Sequence, residues 1–147
     1  MTGWATLADA LAAELADLPA GAIVKIIEAR PGRTARFAQF LQLDTVLSAE
    51  LVDDDILEAP LRAGDAGQAA IRALGWHERD RLHEHWWAEL PWPATSADYH
   101  RLADMVVRGF GDGFGLPGPE SFVYDAWNER AGNRPIELPL LGLRQKG

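Results

Sequence analysis

The sequence contains no cysteine. Disulfide frameworks, thiolate zinc sites and cysteine nucleophiles are therefore excluded at the outset. Serine is almost as scarce: Ser48, Ser96 and Ser121 are the only ones, and none sits in a G-x-S-x-G elbow. No apolar run approaches the ~20 residues of a bilayer-spanning helix, so no membrane insertion is expected. The N-terminal stretch has no basic n-region and carries Asp9, Glu14 and Asp17, which is not the pattern of a signal peptide. A cytoplasmic location follows as the expectation. Positive charge is in the minority, with 14 Lys and Arg against 22 Asp and Glu, for a formal charge of −8. The basic residues form no cluster along the chain, so nucleic acid is not an expected partner. Acidity is concentrated early: residues 1–60 hold 4 basic and 10 acidic side chains. A cationic partner would feel that end first, and acidic clients are disfavoured there.

What is present fits a folded chain. Hydrophobic residues make up 48% of the 147 and charged residues 24%. A chain of this length hides roughly 70% of its unfolded surface and needs no staple. A single domain over 1–147 is the expected organisation, with no internal repeat and no linker.

Residues 6–18 read as a helix with Thr6 as its cap, because Leu7, Leu11, Leu15 and Leu18 form one stripe. Residues 22–29 (AIVKIIEA) are β-branched and read as a strand. Arg30-Pro31-Gly32-Arg33 suits a type II turn, and 34–43 reads as the returning strand. Residues 46–52 read as a third strand, with Leu47, Ala49 and Leu51 on one face and Ser48 and Glu50 on the other. Residues 66–74 read as a helix closed by Gly75. A short strand is placed near 83–89. Thr95 with Asp98 resembles a capping box for a long helix to about residue 113. Pro119 reads as the first residue of a short helix to 127. Residues 138–143 read as an edge strand or as packed coil. Strands and helices are segregated, so the fold class is α+β, an antiparallel sheet packed by helices.

Few motifs point to chemistry. His83 and His85 would share one face of a strand, as a metal pair requires, with His77 or a carboxylate as a third ligand. A metal-dependent enzyme is therefore one alternative, although a solvated polar stretch flanked by Arg79 and Arg81 explains the same residues. Asp53-Asp54-Asp55 lacks the spacing of a calcium loop and reads as a solvated turn that ends a strand. The glycines from 109 to 118 match no phosphate loop or dinucleotide fingerprint. No cofactor is implied. Six tryptophans are present, four of them between Trp76 and Trp92. Their large apolar area and N–H donor suit core corners or a binding surface, and about two of the four are expected in the core. A permanent interface in a larger complex is a further alternative.

An ordered set of short motifs carries a resemblance. Phe37-Ala38-Gln39-Phe40 leads to Ala49-Glu50-Leu51-Val52, an acidic turn and Ile56-Leu57. Leu74-Gly75-Trp76 and Trp86-Trp87-Ala88-Glu89 follow. Pro93-Ala94-Thr95-Ser96-Ala97-Asp98-Tyr99 opens the long helix, and Gly115-Leu116-Pro117 and Pro119 precede Phe122, Tyr124 and Ala126-Trp127. The set, from about Leu7 to Trp127, resembles the bacterial YbjN-like group of type III secretion chaperones related to the CesT class. The resemblance implies a curved antiparallel sheet against helices, non-catalytic binding of a client polypeptide, and often a homodimer. It implies secretion- or conflict-system clients and carries over no catalytic residue. An extended client would add to a sheet edge or lie across an apolar face, with Phe40, Trp86, Trp87 and Trp92 as candidate contacts.

Overall fold

The computed structural model describes residues 3–146. Helix α1 spans Trp4–Ala16 and starts earlier than the Thr6 signal predicts, with Gly3 in the N-cap position. Its stripe of Leu7, Leu11 and Leu15 is buried. Strands β1 (Ala22–Glu28), β2 (Phe37–Gln42) and β3 (Val46–Leu51) follow as an antiparallel meander. Gly32 lies in the β1–β2 turn at φ 116°, the left-handed backbone that the Pro-Gly pair anticipates. Helix α2 is Gly64–Ala73, β4 is Trp86–Pro91 and α3 is Ser96–Arg108. The Thr95 hydroxyl accepts the Asp98 N–H at 3.1 Å and so caps α3. A π-helical turn, Gly109–Gly113, extends α3. Glycine is needed there for close approach: a Cβ on Gly109 would strike Leu51, and one on Gly113 would strike Ile71.

The predicted helix over 119–127 is instead β5, Phe122–Asn128. It pairs antiparallel with β1 along its whole length, from Ala22↔Asn128 to Glu28↔Phe122. Pro119 starts a turn, not a helix, and its carbonyl accepts the Phe122 N–H at 2.9 Å. Aromatic and β-branched side chains at 122–124 favour the strand. Phe122, Val123 and Tyr124 are all buried, so the alternation that marks a half-exposed strand is missing here. The tail then returns to the sheet as β6 (Arg134–Pro135) and β7 (Arg144–Gln145), both paired to β5. Between them Pro139–Leu141 is a 3₁₀ turn that buries Leu138 and Leu141. The main sheet order is β4-β3-β2-β1-β5-β6.

One face of this sheet forms the core. Val24, Ile26, Ala38, Phe40, Leu47, Leu51, Trp86 and Tyr124 pack in one cluster with α1 and with Leu102, Val106 and Phe110. A small second cluster of Val52, Leu57 and Leu61, with Phe37 and Phe114 against it, closes the end of the sheet beyond β3. The acid run at 53–55 is less solvated than expected. Asp54 is buried, and its carboxylate accepts from the Ala63 N–H (2.8 Å), the Gly64 N–H (3.0 Å) and Gln68 Nε2 (2.9 Å). It ties the turn to the start of α2, where a negative charge is favourable.

Candidate functional site

Strand parity divides the four candidate contacts. Phe40 is 1% exposed and Trp86 is 4% exposed, and both point into the helix-covered core. Their side chains lie on the face opposite those of Leu41 and Trp87, because successive side chains on a strand face opposite ways. Trp87, next in sequence, is half-buried on the other face. Trp92 follows β4 and is also half-buried. The remaining tryptophan of this segment, Trp76, is buried, and its indole N–H donates to the Met105 carbonyl at 3.0 Å.

The second sheet face carries a surface that the sequence reading did not single out. Trp127 pairs with Ile23, Ile23 with Leu41, and Leu41 with Ser48, so these residues form one row across four strands. The next row runs Asp125, Lys25, Gln39, Glu50 and Trp87. Ile23, Leu41, Trp87 and Trp127 are half-buried, and none belongs to either core cluster. Gln39 Nε2 donates to Glu50 Oε1 at 2.6 Å, and Lys25 Nζ lies 5.0 Å from the Phe37 ring centroid. A depression of about 280 Å³ opens between Ile23, Leu41, Gln39, Ser48 and Glu50. In β2, residues 37, 39 and 41 are half-buried and alternate with buried 38, 40 and 42. The polarity of Phe-Ala-Gln-Phe-Leu-Gln does not follow that alternation, since Gln42 is buried and Leu41 is not, so no sequence signal marks this face.

Two of the histidines, His77 and His83, pack against Trp87 of this surface. His83 stacks on Trp87 at 4.1 Å, and His77 lies against the same ring at 4.5 Å. The Trp87 indole N–H donates to the Glu78 carbonyl at 3.1 Å. His83 Nδ1 lies 2.8 Å from Asp80. That hydrogen bond, then the one from the Leu82 N–H, holds the exposed Asp80 carboxyl below its ordinary value of 3.8. His85 is buried elsewhere, edge-on to Phe37, and its Nδ1 accepts the Asp53 N–H at 3.2 Å. The expected same-face pair of His83 and His85 is therefore not formed. The two precede β4 and have different partners. Among the described residues, no group of three or more His, Asp or Glu is placed to hold a metal ion.

Both sheet edges are partly occupied by the chain itself. His77 exchanges two backbone hydrogen bonds with Trp87, each 3.0 Å, on the outer side of β4. Residues of β4 with the same parity as Trp87 are Glu89 and Pro91, and Pro91 has no N–H to offer. On the far edge, the Asn133, Ile136 and Lys146 N–H groups donate to the Asn128, Ala126 and Tyr124 carbonyls. A strand added at Trp87 or along β5 would have to displace the chain's own segments, which leaves Glu89 as the one outward-facing N–H of β4 without such a partner among the described residues.

This is an α+β domain with a helix-covered sheet face and an uncovered one. The chain belongs to the T3SS (YopN, CesT) and YbjN peptide-binding chaperone 3 family, whose model matches residues 1–128. It is thus a peptide-binding domain of the secretion-chaperone type. The match ends at β5, and the tail that forms β6 and β7 lies outside it. No curated protein and no solved structure gives a significant match. Among the described residues, no helix is long and apolar enough to cross a membrane.

Proposed function

We propose that this protein holds an extended segment of one specific bacterial client polypeptide across the open sheet face and performs no bond-making. Ile23, Leu41, Trp87 and Trp127 are the contacts, with Trp92 at the margin. The observation that carries the reading is the cross-strand row Trp127–Ile23–Leu41, which is apolar, half-buried and outside both core clusters. An extended segment places alternate side chains into such a surface. The partly occupied edges favour the face over strand addition. The family's homodimeric habit belongs to this reading, as does a client from a secretion or conflict system. Catalysis has no support from the residues brought together here.

The test is co-purification from the native host at native expression. One dominant polypeptide at near-equal stoichiometry is expected with the wild-type chain, and its loss is expected with Ile23→Glu/Leu41→Glu. Recovery of the chain alone, or a partner retained by that variant, would contradict the reading.

A further inference from the structure

The chain as a whole is acidic, and its cations are scattered in sequence, yet folding gathers four of them. Arg30 and Arg33 come from the β1–β2 turn, and Arg144 and Lys146 from the tail. They surround a depression of about 340 Å³ whose apolar wall includes Ile27 and Val123. Ile27 and Val123 are cross-strand partners on the open face, one row beyond Lys25 and Asp125. The cationic hollow is therefore the end of the proposed client surface. A second hollow of about 480 Å³ adjoins it on the other side of Arg144.

Little on the protein neutralises these charges. Among the described residues, none of the four has a carboxylate oxygen within 4.0 Å. Glu28 lines the hollow, but it is bound to Arg36 at 3.1 Å. Glu120 borders the adjoining hollow. Arg30 Nη1 donates to the Thr34 carbonyl at 3.0 Å, which fixes that side chain over the turn. The Glu58 carboxylate lies beside Gly32 of the lining, so three carboxylates border the hollows, yet none is within 4.0 Å of the four cations, which outnumber them on a chain of formal charge −8.

We infer that this end of the open face takes an acidic stretch of the client polypeptide, next to the apolar stretch that covers Ile23 and Leu41. This rests on the open-face reading and adds the client's charge pattern to it. A long polyanion is disfavoured, because the remaining surface would repel it. An acidic patch a few residues long would meet only the hollow. Arg144 and Lys146 lie beyond the residues that the family model matches.

The experiment uses fluorescent peptides that share one alternating Ile/Thr/Val/Thr/Leu/Thr segment and carry four Glu, four Gln or four Lys at one end. An oligoglutamate without the apolar segment and a single-stranded DNA oligonucleotide complete the set. Binding is measured to the full chain and to Arg33→Gln/Arg144→Gln/Lys146→Gln, in which every altered side chain is exposed. The Glu peptide should bind wild type about tenfold more tightly than the Lys peptide, the scale of a few exposed ion pairs. The preference should shrink to about twofold or less in the variant, and also in wild type at high salt. Equal affinity for all three peptides, or a preference that the variant and salt leave intact, overturns the inference. So does tighter binding of the oligonucleotide. If the Gln peptide binds while Glu adds nothing, the hollow fails and the open face stands. If only oligoglutamate and the Glu peptide bind, the open face fails and the hollow stands. Binding of no probe overturns both.

Discussion

The two faces of the sheet are built from neighbouring residues with opposite fates. Phe40 and Trp86 lie in the core, whereas Leu41 and Trp87, one position along, sit half-buried on the uncovered side. The covered face is dense with Leu, Val and aromatic residues packed on α1 and α3. The open face mixes Ile23, Leu41 and Trp127 with Lys25, Gln39 and Glu50 in register. That mixture sets polar groups beside apolar area of the kind a protein partner covers in the proposed reading. Strand parity, rather than residue type, separates the side chains that hold the fold from those free to bind.

Substitution of adjacent residues sharpens this contrast. Phe40→Ala should lower stability by about 3–5 kcal/mol, read as a fall in the urea midpoint. Its neighbour Leu41→Thr should cost about 1 kcal/mol or less, since Thr suits a half-exposed strand. The same Leu41→Thr change should weaken binding of the neutral apolar peptide, whereas folded Phe40→Ala should bind it as wild type does. Equal destabilisation by the two changes would erase the distinction between the faces.

The smallest expected effect concerns the loop that flanks Trp87. The Asp80 carboxyl is held below 3.8 by His83 and the Leu82 N–H. A depressed carboxyl contributes order that is present above its ordinary value and lost as pH falls through the lowered one. Hydrogen exchange at Leu82 and His83 should therefore speed up, relative to Asp80→Asn, only below about pH 3.8. An unchanged difference between the two proteins across that range would remove the Asp80–His83 contact from the account.

Much of the fold was legible because short-range signals were strong. The β1–β2–β3 meander is marked by β-branched runs and Pro31-Gly32, and α3 by the Thr95 cap. Strand β5 reads as a helix in sequence because Phe122, Val123 and Tyr124 are all apolar and all buried, which hides the period-two pattern at its start, while Pro119 imitates a helix start. Asp54 gave no sign of burial, since its partners Ala63, Gly64 and Gln68 lie nine or more residues away. Two of the four candidate contacts, Phe40 and Trp86, lie on the covered face for a related reason. An aromatic residue in a strand is visible in sequence, but the face it takes depends on which side the helices cover. The cationic hollow is the least legible feature, because Arg30 and Arg144 meet only through the β5–β7 pairing.

Chemical-shift mapping with the neutral apolar peptide tests the central claim most directly. The account predicts the largest shifts at the Ile23 and Leu41 methyls and the Trp87 and Trp127 indole N–H groups, with Phe40, Trp76, Trp86 and the α1 and α3 amides left unmoved. Shifts concentrated on α1 and α3, or at Trp76 and Trp86, with Ile23 and Leu41 silent, would contradict it.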